Sequence, residues 1–490
     1  MKRRPAPALD RPTRLEFGDF QTPITLARDV CELLRARGLR PASVIEPTCG
    51  LGAFVRAAAE MFPGAQRIQG VDVNASSVDA ARRELTDDRV EWSVGDFFDL
   101  DWSRRLAELP EPILVVGNPP WVTNATVGAL GGTNLPPKSN RDRWRGIHAM
   151  TGRSNFDISE WMLAEILGWL ERRRGTLAML VKTTVARKVL ARAWRAASPI
   201  VSASLHRIDA PRHFGASVDA GLLTMSFGSG TRALECECAE SLDAERATRR
   251  LGWRSDRLIA DVDAYDTHRH LIEGERGPGA PTWRSGIKHD CRAVFELSGA
   301  AGSRTNGAGD GVDIEEEVLF PLLKSSDLMR GRPPRRVLLV PQRSLTESPA
   351  DLAPRAPRAW RYLERHADRL ARRGSSIYRG RPPYSIFGVG EYSFAPWKVA
   401  IAGMARELRF TVVGPIDDRP VLFDDTCYFV PCPDGRTAHA IHGRVSSEPA
   451  LAAWSSLMFW DAKRPVTAKL LNAVAWERIE EGVEPSRPWR

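Results

Sequence analysis

The sequence predicts an α/β fold built on a mainly parallel sheet, followed by a C-terminal α+β domain. Short apolar runs alternate with amphipathic stretches through the first half of the chain, as is typical of strands joined by crossover helices. Polar residues follow four successive apolar runs at intervals of about one strand plus one helix. The second half differs in composition, because between residues 331 and 380 arginines outnumber acidic residues 12 to 4.

The composition is that of a globular chain with a mild basic excess. Hydrophobic residues fill 43% of the 490 positions, and 70 Lys and Arg against 61 Asp and Glu give a net charge of +9. That charge permits a polyanionic partner without demanding one. Seven dispersed cysteines without a CxxC pair predict neither disulfides nor a zinc site. With no apolar run of about 18 residues and no signal peptide, we expect a cytoplasmic protein.

Seven apolar runs are the candidate strands of the first domain. They span residues 43–45, 68–71, 90–94, 113–116, 177–181, 201–206 and 222–227. Amphipathic stretches such as residues 53–61 and 158–170 predict helices between them. Residues 229–280 are charged and mixed, which indicates a connection between domains. We therefore predict a catalytic domain at residues 1–245 and a second domain at residues 246–490, with that connection crossing the boundary.

Two stretches of the second half have a distinct local character. Residues 299–311 are rich in glycine and polar residues, which predicts a flexible surface loop. Further on, Trp360, Leu363, Ala367 and Leu370 recur at helical spacing and leave arginines on the opposite face. A surface helix with a solvated charged face and a nucleic-acid contact both remain open for this stretch.

Four polar residues follow the first four predicted strands. Glu46, Asp72, Asp96 and Asn118 are separated by 26, 24 and 22 residues. Because right-handed crossovers bring the carboxyl ends of parallel strands to one edge, we expect these side chains to line that edge. Open α/β sheets bind ligands there, so this is the predicted site.

The first turn and the next two strand ends suit an adenosine. The turn Glu46-Pro47-Thr48-Cys49-Gly50-Leu51-Gly52 has two glycines that allow a close backbone approach. Asp72 lies where a carboxylate would accept hydrogen bonds from two ribose hydroxyls. Asp96 offers a hydrogen-bond acceptor to the adenine amino group, and Phe97 offers a ring to lie against the base. Each has an alternative, since Asp72 could cap a helix and Phe97 could be core. Together, without a Gly-Lys-Ser/Thr sequence for a triphosphate, they predict S-adenosylmethionine as the cofactor.

The tetrapeptide Asn118-Pro119-Pro120-Trp121 follows the fourth strand. Two prolines stiffen the loop, and an amide oxygen and a carbonyl are acceptors that suit a planar NH2 group. The indole offers a surface for a flat π-system. An ordinary Pro-Pro turn with a buried tryptophan is the alternative. Behind an adenosine pocket, the pattern favours the exocyclic amine of a nucleobase.

Taken in order, these segments resemble the gamma-class N6-adenine DNA methyltransferases of the TaqI type. The family more often has Tyr or Phe in the last place of its catalytic tetrapeptide. The likeness covers residues 17 to about 228 and continues loosely in residues 285–291, 321–327 and 387–396, which resemble parts of a target-recognition domain. The matching segments are Phe17-Gly18-Asp19-Phe20-Gln21-Thr22-Pro23, the glycine turn, Asp72, Asp96-Phe97, Asn118-Pro119-Pro120-Trp121 and His213-Phe214-Gly215.

The resemblance implies a class I S-adenosylmethionine-dependent methyltransferase fold with a C-terminal target-recognition domain. It implies double-stranded DNA as partner, a flipped adenine as substrate, and no metal. The implied catalytic residues are Asn118, Pro119, Pro120, Trp121 and Phe214. The implied cofactor contacts are Phe17, Gln21, Thr22, Pro23, Glu46, Pro47, Thr48, Cys49, Gly50, Gly52, Asp72, Val73, Asp96, Phe97 and Asn118.

Other functions stay open at this point. N4-cytosine methylation, an RNA or protein-glutamine methyltransferase, and a non-catalytic specificity subunit each share part of the pattern. A fused restriction enzyme is disfavoured, because only 16 residues precede Phe17. We therefore expect a monomer whose restriction endonuclease, where one exists, is a separate chain.

Overall fold

The computed structural model describes residues 21–122 and 157–480. Phe17, one of the predicted cofactor contacts, lies outside these ranges. The chain divides into two compact units, and the boundary along the sequence falls between Val262 and Asp263. Within the described ranges, no helix has both the length and the apolar character that a membrane span requires.

The strands described in the first unit form one ten-stranded sheet. They are β1 (Ser43–Glu46), β2 (Arg67–Asp72), β3 (Val90–Val94), β4 (Ile113–Gly117), β5 (Gly175–Lys182), β6 (Ile200–Ile208), β7 (Ala220–Phe227), β8 (Glu235–Ala239), β9 (Arg249–Arg254) and β10 (Arg257–Ile259). Their spatial order is β10-β9-β8-β6-β7-β5-β4-β1-β2-β3. The run from β3 to β5 is parallel, and β7 lies antiparallel between β5 and β6. This confirms the predicted mainly parallel sheet.

Helices accompany the strands of the first unit, as the alternating pattern predicts. They are α1 (Ile24–Ala36), α2 (Ala53–Met61), α3 (Ala75–Glu84), α4 (Trp102–Ala107), α5 (Ile158–Leu170), α6 (Thr183–Arg195) and α7 (Ala210–Phe214). The residues of β4 are all buried, which explains its unbroken apolar sequence. Leu26 of α1, Phe54 of α2 and Leu114 of β4 belong to one core beneath the strand ends.

The first unit extends further along the chain than the sequence predicts. Residues 229–280 were expected to connect two domains, but they contribute β8, β9 and β10 to the first sheet. β8 pairs in parallel with β6, and its Cys236 and Cys238 are buried while Glu237 between them is exposed. This alternation is a strand signal that the high charge of the stretch obscures. The unit therefore ends at Val262 rather than at residue 245.

The second unit is an α+β structure. Its strands are β11 (Arg284–Ser285), β12 (Glu296–Leu297), β13 (Arg304–Thr305), β14 (Gly311–Val312), β15 (Leu319–Leu323), β16 (Arg336–Leu339), β17 (Trp397–Ala402), β18 (Thr411–Val413), β19 (Leu422–Phe423) and β20 (Cys427–Cys432). They form two four-stranded sheets, β11-β20-β17-β18 and β12-β16-β15-β19, and a two-stranded β13-β14 ladder. An additional C-terminal domain is thereby confirmed.

Short helices surround these small sheets. They are α8 (Val262–Thr267), α9 (Arg269–Ile272), α10 (Arg292–Phe295), α11 (Ser325–Met329), α12 (Leu352–Arg355), α13 (Pro357–Arg365), α14 (Ala367–Ala371), α15 (Gly435–Val445), α16 (Glu448–Leu457) and α17 (Ala468–Leu471). A helix was expected through residues 360–370, and the structure breaks it at His366 into α13 and α14. Its apolar stripe is present, because Leu363 and Leu370 are buried.

The glycine-rich residues 299–311 are more ordered than a flexible loop. β13 and β14 pair across the stretch. The Asn306 side-chain oxygen accepts the backbone N–H groups of Ala308 at 2.9 Å and Asp310 at 3.0 Å. A buried asparagine thus closes the turn, which composition alone does not predict.

Lys398 of β17 is a buried cation in the second unit, with 1% of its surface exposed. Its Nζ donates to the carbonyls of Ala395 at 2.6 Å and Val421 at 2.9 Å. Burial lowers the pKa of Lys398 from 10.5 to about 7. Between pH 10.5 and about pH 7 the Lys398 amine binds more protons in the unfolded chain than in the folded chain. The free energy of unfolding therefore rises with pH across this range, and the contribution of Lys398 to stability is lost as the pH falls through about 7.

Replacing Lys398 with Met should flatten that dependence. We expect wild-type stability to gain on the order of 3 kcal/mol relative to Lys398→Met between about pH 7 and 10, from about 1.36 kcal/mol per pKa unit. Urea unfolding at three pH values measures the difference. The exposed Lys463→Met is the control and should follow wild type. Parallel profiles for Lys398→Met and wild type would contradict the buried-amine account.

Candidate cofactor and catalytic site

The sheet brings the predicted polar residues to one edge. β1 pairs in parallel with both β2 and β4, and β2 pairs in parallel with β3. Glu46 and Asp72 are the last residues of β1 and β2, while Asn118 directly follows β4. Asp96 lies two residues beyond β3. Since neighbouring strands are about 4.8 Å apart, the four residues occupy successive steps along the carboxyl edge.

Asp72 ties its own strand to the glycine turn. Its Oδ2 accepts the backbone N–H of Gly50 at 2.8 Å, and its Oδ1 accepts that of Asn74 at 2.8 Å. A carboxylate oxygen can accept more than one hydrogen bond. The contacts fix the orientation of the carboxylate, which suits it to receive a pair of hydroxyl groups.

Both glycines of the turn are required by their surroundings. Gly50 and Gly52 have φ values of +49° and +73°, where side chains other than glycine are strained. A Cβ on Gly50 would lie 2.8 Å from Oε1 of Gln21, and one on Gly52 would collide with the ring of Trp92. The oxygen of Gln21 also accepts the N–H of Leu51 at 3.1 Å. Gln21, a predicted cofactor contact, thus braces the turn, and Trp92 of β3 supports it from below.

Glu46 lies beneath the turn rather than on its open side. Only 2% of its surface is exposed, and its Oε2 accepts the N–H of Val55 at 3.0 Å. Burial raises the pKa of Glu46 well above its usual range, and the nearby charge of Asp72 acts in the same direction. This carboxyl holds the start of α2 against β1, so the structure gives it a supporting position.

The remaining turn residues divide between buried and accessible positions. Pro47 and Cys49 are buried, and burial raises the pKa of the Cys49 thiol, which therefore stays protonated. Thr48, Thr22 and Pro23 are partly exposed beside it. Leu51 and Val73 have 43% and 45% of their surfaces exposed. Exposed apolar side chains flanking an oriented carboxylate fit the mixed character of an adenosine.

Asp96 and Phe97 have different environments in the structure. Asp96 is partly exposed, and its Oδ1 accepts the N–H of Phe98 at 2.8 Å. The Phe97 ring is buried, with its centroid 5.6 Å from that of Trp102 and 5.4 Å from that of Trp169. The ring therefore belongs to an aromatic core, as the alternative interpretation of the sequence had it. A ligand here meets Asp96 and at most the rim of Phe97.

The tetrapeptide is anchored through its tryptophan. Trp121 has 5% of its surface exposed, and its indole Nε1 donates to the carbonyl of Leu180 in β5 at 3.1 Å. Its ring meets Phe214 edge to face, with centroids 5.1 Å apart and planes at 68°. A base between two rings needs two stacking distances of about 3.5 Å each. In this conformation no base fits between Trp121 and Phe214.

Lys182 is a residue of the site that sequence reasoning missed. It ends β5, next to the tetrapeptide, and its Nζ donates to the carbonyl of Trp121 at 2.8 Å and to Oδ2 of Asp157 at 2.6 Å. Asp157 caps α5 by accepting the N–H of Ser159. The N–H of Ile158 in turn donates to the Val122 carbonyl at 2.9 Å. Lys182 thus fixes the carboxyl end of the tetrapeptide to the start of α5.

Removing this ammonium group should loosen both segments. In Lys182→Met the buried Asp157 carboxylate loses its cation, which costs roughly 1–3 kcal/mol. We expect hydrogen exchange of peptides containing Val122 and Ser159 to quicken by about tenfold, since 1.4 kcal/mol is a factor of 10. Lys188→Met is the control, because Lys188 binds Glu160 at 2.6 Å in an exposed pair. Equal exchange in both variants would remove Lys182 from this role.

No protein-family model matches the chain. The type II methyltransferase M.NspV of Nostoc sp. is 40% identical over 470 residues, 95% of this chain and 97% of the relative. The type II methyltransferase M.CvrRI of Paramecium bursaria Chlorella virus XZ-6E is 28% identical over 123 residues, 24% of this chain and 28% of the relative.

Among solved structures, the type IIL restriction-modification enzyme MmeI, determined in complex with DNA, has a similar fold. The TM-score is 0.52 at 12% identity, and the match covers 94% of this chain and 65% of MmeI. Together with the strand order, this establishes the class I fold of S-adenosylmethionine-dependent methyltransferases. The 40% identity across nearly the full length of M.NspV shows that the chain belongs to the type II methyltransferases.

Proposed function

We propose that the chain is a site-specific DNA methyltransferase that transfers a methyl group from S-adenosylmethionine to N6 of adenine in duplex DNA. The observation that carries this proposal is the row of Asp96, Asp72, Glu46 and Asn118 at the ends of neighbouring parallel strands. On this proposal, a nucleoside pocket and an acceptor for an amine lie next to each other on one edge of the sheet. The membership of the type II methyltransferases supports the same reaction class.

The residues at this edge fit the cofactor. Asp72 suits the two ribose hydroxyls, because backbone N–H groups already orient both of its oxygens. Val73 and Leu51 offer exposed apolar surface to the adenine, and Asp96 offers an acceptor to its amino group. When bound, S-adenosylmethionine supplies an electrophilic methyl group on sulfur. The remaining members of the implied contact set frame this pocket, and Phe17 lies outside the described residues.

Asn118 and Pro119 are proposed to bind the amine that receives the methyl group. The adenine amine is a weak nucleophile, because its lone pair is delocalised into the ring. Asn118 Oδ1 and the Pro119 carbonyl would each accept a hydrogen bond from one N–H of this amine, which favours the pyramidal form of its nitrogen. The two prolines and the Lys182 contact hold these acceptors in place, so positioning accounts for much of the rate. No side chain needs to form a covalent bond with the base.

Duplex DNA presents such an amine only after the base leaves the helix. Flipping costs a few kcal/mol, and stacking on an aromatic side chain returns roughly 1–3 kcal/mol per base. Phe214 is partly exposed and Trp121 is buried, so Phe214 is the ring with surface to offer. We propose that its side chain turns away from the edge-to-face contact and closes over the base, while the anchored Trp121 forms the floor.

The proposed partner is double-stranded DNA, in a restriction-modification setting with any endonuclease on a separate chain. The similar fold of MmeI, determined in complex with DNA, and the net charge of +9 are compatible with this partner. The second candidate is N4-cytosine methylation, since cytosine offers the same planar amine to Asn118. RNA and a protein glutamine are the remaining substrates with such an amine.

Expression in a methylation-free host followed by long-read sequencing tests the proposal directly. We expect N6-methyladenine within one short recognition sequence, and none with Asn118→Ala, whose transfer rate should fall at least 100-fold through loss of an oriented acceptor. Labelled-methyl transfer to duplex DNA, RNA and protein runs in parallel. Modification of cytosine, or labelling of RNA or protein alone, would reject the adenine assignment. The variant should keep the wild-type unfolding temperature.

Asp72→Asn tests the pocket separately. An amide offers one oxygen and turns its NH2 towards a backbone N–H, so one of the contacts to Gly50 and Asn74 is lost. We expect the affinity for S-adenosylmethionine, measured by calorimetry, to fall at least tenfold while DNA affinity stays within about twofold. Asp79→Asn, an exposed residue of α3 paired with Arg82, should bind the cofactor as wild type does. Unchanged affinity in Asp72→Asn would remove Asp72 from the ribose site.

A further inference from the structure

In the second unit, three arginines lie over aromatic rings of one segment, residues 387–396. The guanidinium carbon of Arg343 lies 4.1 Å from the ring centroid of Phe394. Those of Arg284 and Arg381 lie 5.0 Å from Tyr392 and 5.8 Å from Phe387. The three arginines are far apart in the sequence, yet each contacts a ring of residues 387–396, which we call the aromatic segment.

These three arginines are exposed, and their guanidinium groups have neither a hydrogen bond nor an ion pair with any part of the chain that the structure describes. Other arginines of this unit differ. Arg358 lies 2.7 Å from Asp313, and Arg304 lies 2.8 Å from Glu316. The donors of these paired arginines are used by carboxylates of the described chain, whereas the donors of Arg284, Arg343 and Arg381 are not.

Arg373 shows what a structural arginine looks like in the same region. Its guanidinium lies 3.7 Å from the ring centroid of Tyr378, but its Nη1 donates to the carbonyls of Ser385 at 2.7 Å and His289 at 3.2 Å. Its donors are thus used within the protein. Stacking alone therefore does not mark a binding group, and the combination of stacking, exposure and unused donors separates Arg284, Arg343 and Arg381 from it.

The aromatic segment is held rigidly. Phe387 and Lys288 exchange backbone hydrogen bonds of 2.8 and 2.9 Å. The Tyr392 ring packs against Phe429 at 6.2 Å, and Phe394 packs against Phe320 at 5.2 Å. A planar guanidinium that rests on a fixed ring keeps its N–H edge in a defined direction and loses less freedom on binding. The fixed rings thus restrict the three guanidinium groups before any ligand binds.

We infer that Arg284, Arg343 and Arg381 bind backbone phosphates of double-stranded DNA. The inference rests on the proposed function, which supplies the polyanion, and it selects three arginines that the sequence alone does not distinguish. Planar forks of five N–H donors match phosphate geometry. Phe387 and Phe394 are seven residues apart and so at most about 25 Å apart, which corresponds to about seven base pairs at 3.4 Å each. The backbone positions of the rings that the three guanidinium groups contact therefore span no more than a short stretch of duplex.

Salt dependence of DNA binding tests the assignment. The logarithm of the affinity of a protein for duplex DNA falls with the logarithm of salt concentration by about 0.9 per phosphate contact. Arg284, Arg343 and Arg381 are changed together to alanine, and a mixed-sequence duplex of 30 base pairs is titrated between 50 and 300 mM NaCl. We expect the slope to shrink by about 2.7 and the affinity at 100 mM salt to fall on the order of 100-fold.

A matched variant separates this effect from net charge. Arg269, Arg355 and Arg358 are exposed arginines of the same unit in ion pairs with Glu273, Glu347 and Asp313. Their triple alanine variant removes the same formal charge and should keep the slope within about 0.5 of wild type. An equal slope change in both triples would overturn the inference. A change of methylated sequence with an unchanged slope would overturn it as well, because the arginines would then read bases.

Two further measurements keep the outcome clear. Where the alanine triple unfolds, the triple glutamine variant retains side-chain length and polarity and is expected to show the same loss of slope. Cofactor affinity should be unchanged in either triple. Wild-type protein that neither binds nor methylates duplex DNA would reject the proposed function itself. Wild-type binding with a salt slope that the stacked triple preserves would reject only the phosphate contacts.

Discussion

The parallel pairing of β1 with both β2 and β4 is the constraint on which the site depends. It places Glu46, Asp72 and Asn118 at neighbouring positions, because each residue ends or follows its own strand at the same edge. A slip of one residue would turn each of these side chains to the opposite face of the sheet. The buried residues of β4, which pack on both faces, make such a slip costly. The chemistry of the edge is thus a consequence of core packing.

The residues at this edge can be predicted from the sequence, but the residues that contact them from neighbouring strands cannot. Strand ends can be located from apolar runs, so Asp72 and Asn118 follow from spacing alone. Lys182 and Trp92 act through neighbours in space, since Lys182 binds the loop after β4 and the Trp92 ring lies beneath Gly52. Those contacts depend on the order β5-β4-β1-β2-β3, which a linear pattern does not contain. β8 was not predicted for another reason. Its alternating Glu and Cys residues indicate a strand, but the high charge of the surrounding residues led to the prediction of a connection between domains.

Rigid support of polar groups recurs in both units. Gly50 is held by Asp72, Leu51 by Gln21, and the carbonyl of Trp121 by Lys182. In the second unit, fixed aromatic rings carry Arg284 and Arg343. In each case the protein orients a polar group before any ligand arrives. Such preorganisation reduces the entropy that is lost on binding, which matters most for the proposed substrate, a base that must also leave a duplex.

The last residue of the tetrapeptide follows from the same principle. Tyr or Phe, which the resembling family more often has there, lacks the indole N–H that Trp121 donates to the Leu180 carbonyl. That hydrogen bond and the Lys182 contact attach the loop to β5 at two points. The gain is a fixed backbone at Trp121, and the cost is that little of the buried indole is left for the proposed stacking on a base. In the proposed reaction, most of the stacking surface would therefore come from Phe214, whose ring contacts the same indole.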